Sequence, residues 1–446
     1  MGRLARMRSR WGLARHQQAG LQYLGMTLLG RGAVFCGLLV AAAVLPSGGY
    51  ATFALAYQIA LFVSYQVAYP INVAGYRLGA EAEWRAILKR MILAPAVGAA
   101  AAGAIAAALL EDPSGFLVVM VAIYGGSATL AVVGLGQAQA YGRALSFARW
   151  NAYGSLLFLA LVGLVSTPSE ALLAASIGMV VAPLMLAGRG GLTGSSSGQS
   201  SMGRPEATVF LANLAFGFAS VVFLSMIDTD LAGNAADRVA LLFTFLQAAL
   251  MLPMQLLSLM QPRLTAERLS DGLEHAFVET QAGITMMMMC GGLVLAAALS
   301  LSGWTSWAVA APLAISVMPV ALGLASANGL MVAEGPSLRL IFGPLVFVST
   351  LIAASFALGG DADPRLLTVA WLGSAVLGSV VQALFLGRRD NAVWLAAGLL
   401  AGAACVGLGM ITAALGGIAA IGLLVAGSGV ARNSVAQATR FVAVHR

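Results

Sequence analysis

The stretch YATFALAYQIALFVSYQVAYPINVA, residues 50–74, decides the fold. It carries no charge and is longer than the roughly 20 residues a helix needs to cross a bilayer core of about 30 Å. It does not alternate apolar with polar positions, as a barrel strand must. The rest of the chain agrees: 446 residues, 60% hydrophobic, 9% charged, with a mean hydropathy of +0.90. Its 53 glycines show no period-three pattern and suit helices that approach closely in lipid. The chain reads as an all-α integral membrane protein.

Working outward, apolar runs of spanning length fall near 21–45, 50–74, 91–110, 115–140, 151–166 and 171–187. A second series falls near 207–228, 239–260, 277–300, 305–332, 338–358 and 366–387. Residues 391–431 are long enough for two more, which predicts about fourteen transmembrane helices, with twelve as the alternative. Of the 24 Lys and Arg residues, all but Arg31, Arg238 and Arg365 fall on one side of this layout. By the positive-inside rule that side is cytoplasmic, so both termini are cytoplasmic and the number of spans is even. The opposite loops are short and acidic, with Glu111, Asp112, Glu170, Asp228, Asp230, Asp237, Asp361 and Asp363. The net charge of +7 therefore reports topology and contact with membrane lipids, and no nucleic-acid partner is expected.

Residues 188–206, GRGGLTGSSSGQSSMGRPE, form a Gly/Ser-rich linker that divides the chain. The expected organisation is a tail at 1–20, a six-helix bundle at 21–187, the linker, and a second six-helix bundle at 207–387. Two added helices at 388–431 and a tail at 432–446 complete it. A shift of 189 positions lays Gln58 on Gln247, Gln66 on Gln255 and Asn72 on Gln261. The bundles thus read as parallel repeats around a central cavity. In the second span, Gln58, Tyr65, Gln66, Tyr69 and Asn72 form a polar stripe that lipid cannot satisfy. It either walls a hydrated cavity, where amides and phenols would meet a hydroxyl-rich ligand, or ties helices together.

Arg31 is the sharpest single feature, placed near the middle of the first span in MTLLGRGAVFCGLLV. A charge at that depth costs at least about 2.5–3.5 kcal/mol and needs compensation. Its planar donors suit a diphosphate; the other reading is a structural pair with Asp228 or Asp230. Those two aspartates are read as a solvated outer loop or as an ion-coupling site or outer gate. Cys36, Cys290 and Cys405 have no metal or disulfide spacing, and His16, His275 and His445 lie outside the apolar runs. Walker A and HExxH patterns are absent and no histidine falls inside a span, so neither an ATP-driven pump nor an enzyme is expected. No cofactor or metal is expected beyond a coupling proton or sodium ion, which leaves the class of secondary transporters and flippases.

The segment LPSGGYATFALAYQIALFVSYQVAYPINVAGYRLGAEAEW, with Gly49 and Tyr50 before the second span, resembles the first hairpin of bacterial polysaccharide repeat-unit flippases. These belong to the multidrug/oligosaccharidyl-lipid/polysaccharide (MOP) exporter superfamily. MIDTDLAGNAADRVALLFTFLQAALMLPMQLLSLMQPRLTAE resembles the matching hairpin, with an Asp ending the seventh span and Pro262 ending the eighth. The resemblance implies a monomer in the bacterial inner membrane that moves an undecaprenyl-diphosphate-linked oligosaccharide outward by alternating access. Other polysaccharide-assembly proteins would be its partners. Arg31 would contact the diphosphate; Gln58, Tyr65, Gln66, Tyr69, Asn72, Gln247, Gln255 and Gln261 would contact sugar. The alternatives are a small-molecule cation antiporter of the same superfamily and a lipid II flippase. The family pattern leads one to expect several intramembrane cations, and this chain has one clear case, Arg31.

Overall fold

The computed structural model describes residues 2–78, 84–110, 113–140, 143–187, 204–266, 271–333, 339–359 and 363–386, with further positions between 393 and 419. Of the linker expected at 188–206, residues 188–203 lie outside the described residues, as does the tail at 432–446, and residues 204–206 belong to the start of α7. Among the described residues there is no strand. The first six helices are α1 (Gly2–Val44), α2 (Gly49–Leu78), α3 (Trp84–Leu109), α4 (Gly115–Ala140), α5 (Ala144–Val162) and α6 (Pro168–Ala187). The next six are α7 (Arg204–Asp230), α8 (Gly233–Ala266), α9 (Asp271–Leu301), α10 (Trp307–Ala333), α11 (Arg339–Leu358) and α12 (Pro364–Leu386). Residues 395–400 and 414–419 are helical too, so the described residues fall on fourteen helices.

Each of the twelve apolar runs read from the sequence became one of these helices. α1 departs most from expectation, since it continues back through the polar residues expected as a tail and begins at Gly2. Among the described residues, seven of the helices contain windows long and apolar enough to cross a membrane, and Leu93–Leu109, Thr285–Leu301 and Trp307–Gly323 are shorter apolar stretches.

Local chemistry sets the helix starts. At α6, Thr167 Oγ1 accepts from the Glu170 amide at 3.3 Å, while Glu170 Oε2 accepts from the Ser166 and Thr167 amides at 2.7 and 3.2 Å. This reciprocal cap comes with Pro168 at the first helical position, where a missing N–H costs nothing. α12 begins in the same manner: Asp363 Oδ1 accepts from the Arg365 amide at 2.8 Å, ahead of Pro364 in the first turn.

The second half repeats the packing of the first. α1 packs on α5 and α7 on α11; α2 on α4 and α8 on α10; α3 on α4 and α9 on α10. α5 and α4 both meet α6, as α11 and α10 both meet α12. The closest backbone approaches repeat as well. A Cβ on Gly154 of α5 would fall on the Gly178 carbonyl oxygen of α6, and one on Gly343 of α11 would lie 2.7 Å from that of Gly378 on α12. Gly154 and Gly343 are 189 positions apart, the shift read from the glutamines. Small residues allow such contact in lipid, where dispersion replaces the hydrophobic effect as the force between helices. Beyond α12, Gly398 and Gly402 pack on Met318 and Ile315 of α10, and Gly417 on the Cys290 carbonyl of α9.

Gly154→Val and Gly343→Val should each destabilise the protein by about 1–3 kcal/mol through overpacking. Gly373→Ala, with no atom within 4 Å of the added carbon, should be neutral or slightly stabilising. Thermal unfolding of the detergent-purified variants checks both.

Candidate functional site

Arg31 lies six residues inside the inner end of the Gly25–Val44 window, about 9 Å at 1.5 Å per residue. The half-buried side chain lines a cavity of about 110 Å³, room for several water molecules. Tyr23, Thr27 and Val34 of α1 line it with Arg31, joined by Tyr57, Leu61 and Tyr65 of α2 and Tyr124 of α4. Asn151 and Ser155 of α5 and Ala175, Gly178 and Met179 of α6 close it. The described lining comes from the N-terminal half alone, with no residue of α7 or α8.

No carboxylate is among these lining residues. Arg31 forms no ion pair or hydrogen bond with a described residue, Asp228 and Asp230 included. Its charge acts on the phenols of Tyr57 and Tyr124. Those two rings stack with centroids 4.9 Å apart and planes 23° from parallel. Tyr124 is fully buried, and its hydroxyl meets that of Tyr57.

The polar stripe of α2 divides between two sides. Tyr57, Leu61 and Tyr65 recur every four residues and face the cavity. Gln66 is turned about 100° from Tyr65; its amide nitrogen lies 3.6 Å from where a Cβ on Gly217 of α7 would stand, and its buried Oε1 has no partner. Gln66 thus faces the other half of the molecule. Gln58 and Gln247 are half-buried on α2 and α8 and are not among the cavity-lining residues. The side chains of Tyr69, Asn72, Gln255 and Gln261 lie outside the described residues.

The C-terminal half fills the corresponding place. There α7, α8, α10, α11 and α12, the counterparts of α1, α2, α4, α5 and α6, meet around Trp371, which is 1% exposed. Its ring lies 4.9, 4.8 and 4.9 Å from those of Phe223, Phe243 and Phe347, and its Nε1 donates to Ser316 Oγ at 3.0 Å. Where α6 offers Ala175 and Gly178, α12 offers an indole.

The two halves also meet at their outer ends. The Asp237 carboxylate at the start of α8 accepts from the Gly48 amide at 2.8 Å and the Ala51 amide at 2.9 Å, capping α2 from the other half. Thr52 Oγ1 donates to Asp228 at 3.0 Å, Ser47 Oγ to Asn234 at 3.0 Å and the Tyr50 hydroxyl to Thr244 at 3.2 Å. At the meeting point Gly48 (φ 82°) and Gly233 (φ 54°) are left-handed, and a Cβ on Gly48 would lie 3.9 Å from the Gly233 Cα. Asp228, read as a loop or coupling residue, takes part in this contact, whereas Asp230 accepts locally from Thr229 at 3.0 Å. Deeper in, Phe35 of α1 and Phe245 of α8 lie 4.6 Å apart.

Sequence reading missed Tyr57, Tyr124, Asp237 and Trp371. The eight-residue spacing of Tyr57 and Tyr65, about two helical turns, was visible; the roles of the other three depend on contacts between distant helices.

Asp237→Ala should leave two amides of α2 uncapped, at a cost of about 0.5–2 kcal/mol, and raise labelling of a Thr52→Cys protein by a membrane-impermeant maleimide. Trp371→Ala should cost about 3–5 kcal/mol by thermal unfolding.

No protein-family model matches the chain, and no curated protein matches it in sequence. Solved structures do match in fold. A structure of the lipid II flippase MurJ in an inward closed conformation superposes with a TM-score of 0.60 at 9% identity, covering 91% of this chain and 97% of that one. An inward-facing multidrug-resistance MATE transporter of the MOP superfamily gives 0.54 at 15% identity, covering 84% and 98%. A Vibrio cholerae MATE transporter gives 0.51 at 14% identity, covering 84% and 97%. These neighbours are transporters and a flippase, not enzymes, and the chain shares the multi-pass helical fold of the MOP-superfamily transporters.

Proposed function

We propose that the protein is a flippase that carries an undecaprenyl-diphosphate-linked oligosaccharide from the cytoplasmic to the periplasmic leaflet of a bacterial inner membrane. The observation that carries this reading is the unpaired Arg31 guanidinium inside a span, in a tyrosine-walled cavity whose described lining has no carboxylate. A cation antiporter would want the reverse, a carboxylate facing its substrate. A guanidinium offers five donors in a plane and matches phosphate oxygens two at a time. The phenols of Tyr57, Tyr65 and Tyr124 add hydroxyl donors and ring faces of the kind that lie against sugars. The cavity of about 110 Å³ suits the phosphate end of such a substrate and not its glycan, which would extend toward the inner helix ends. The contact around Asp237 supports alternating access, because it is a polar link between the halves at one end that can separate.

A deletion strain should accumulate complete, unpolymerised lipid-linked repeat units on the cytoplasmic leaflet, resolved by mass spectrometry with leaflet assignment. Arg31→Ala, at normal membrane levels, should reduce glycan export at least tenfold. Accumulation of lipid II would instead assign the peptidoglycan precursor as cargo, and unchanged lipid-linked intermediates would refute the flippase reading.

A further inference from the structure

We infer that Gln66 biases the seam between α2 and α7 toward opening: its side-chain carbonyl has no partner while the seam is shut and gains one from water when the halves part there. The inference goes beyond the lipid-linked substrate, since it concerns how the two halves separate whatever they carry.

The seam can be followed along both helices. Near the outer end Thr52 Oγ1 donates to Asp228 at 3.0 Å. Further in, the rings of Phe62 and Phe218 lie with centroids 6.0 Å apart. Gly217 then lies against both Phe62 and Gln66: a Cβ there would collide with the Phe62 ring and stand 3.6 Å from the Gln66 amide nitrogen. Gln66 is 17 residues beyond Gly49, about 26 Å along α2, so it belongs to the inner part of the seam.

Gln66 is 7% exposed, and its Oε1 has no hydrogen-bond partner. Ser64 of the same helix is buried too, yet its hydroxyl donates to the Ala60 carbonyl at 2.7 Å. A donor on a helix face can turn back to a carbonyl of its own helix in this manner. An acceptor cannot, because the amides in mid-helix are already bonded to carbonyls one turn back. Oε1 therefore needs a donor from another helix or a water. Gln382 of α12 has such a partner, since its Oε1 accepts from the Gly343 amide of α11 at 3.0 Å. Opposite Gln66, α7 presents Gly217 and Phe218, whose side chains hold no donor. A buried acceptor left unpaired carries its full desolvation penalty, which exceeds the net worth of an ordinary hydrogen bond. Only the shut seam bears that penalty, so the amide favours separation of α2 from α7. An apolar side chain of the same size would hold the two helices more firmly.

The test is hydrogen–deuterium exchange by mass spectrometry on the purified full chain in lipid nanodiscs, wild type against Gln66→Met, which keeps the side chain's length and removes its amide. Local opening that admits water is what lets helix amides exchange. In the wild type, peptides covering 60–68 of α2 should exchange faster than those covering 150–158 of α5, which packs on α6 through Gly154. Gln66→Met should slow exchange about fivefold or more at 60–68 and at 217–223 of α7, raise the unfolding temperature, and leave the α5 peptides unchanged. Gln66→Leu should act in the same direction, so the test does not hang on one variant folding. Equal protection of α2 and α5 in the wild type would overturn the inference. So would unchanged or faster exchange at the seam in the variants, or a lowered unfolding temperature, the outcome expected of an amide that merely holds the helices together. The measurement contains no lipid-linked glycan, so its failure is distinct from failure of the flippase reading.

Discussion

The carboxylate of Asp237 caps a helix that belongs to the other half. α2 begins at Gly49 behind Gly48, with no acidic side chain in its own first turn. The first amides of a helix, left free, are costly wherever water is scarce. Asp237 accepts from two of them across the boundary between halves, and the neighbouring contacts of Ser47, Tyr50 and Thr52 follow the same line. The outer ends are therefore joined through polar groups, which can separate and rehydrate, and not by an apolar seal alone. The two left-handed glycines are what allow the loop tips to come close enough.

Below that contact the molecule is two copies of one packing plan put to different uses. Five helices in each half converge in the same order. In one half they leave a hollow around a guanidinium; in the other they close on an indole. The filled version shows what the plan gives when packing alone decides, with Trp371 among three phenylalanines and its single donor satisfied. The hollow version gives up that dispersion energy and accepts a charge inside the span. The proposed function is built on this difference between the halves.

The helices were legible in the sequence because continuous apolar length has one solution in a bilayer, and α1 to α12 follow the predicted runs. Arg31 was legible because a charge in such a run is anomalous. The repeat was legible in a shift of 189, which reappears in Gly154 and Gly343. The rest needed three dimensions. Spacing along α2 grouped Gln66 with Tyr65, yet a single step around a helix is enough to turn one toward α7 and the other toward the cavity. Asp237 looked like one more acidic residue in an outer loop, since no local pattern relates it to amides 186 and 189 positions away. Arg31 suggested a cavity between the halves, and only the packing of α5 and α6 against α1 placed its walls in one of them.

The glycine contacts of α5 with α6 and of α11 with α12 have a mechanical consequence. Where two helices approach backbone to backbone, sliding along the contact meets carbonyl groups at once. These pairs are stiff struts, one in each half. Deformation during a transport cycle is then shed to boundaries made of side chains, where Phe35 meets Phe245 and Phe62 meets Phe218, and the aromatic rings there become the bearings on which one strut turns past the other.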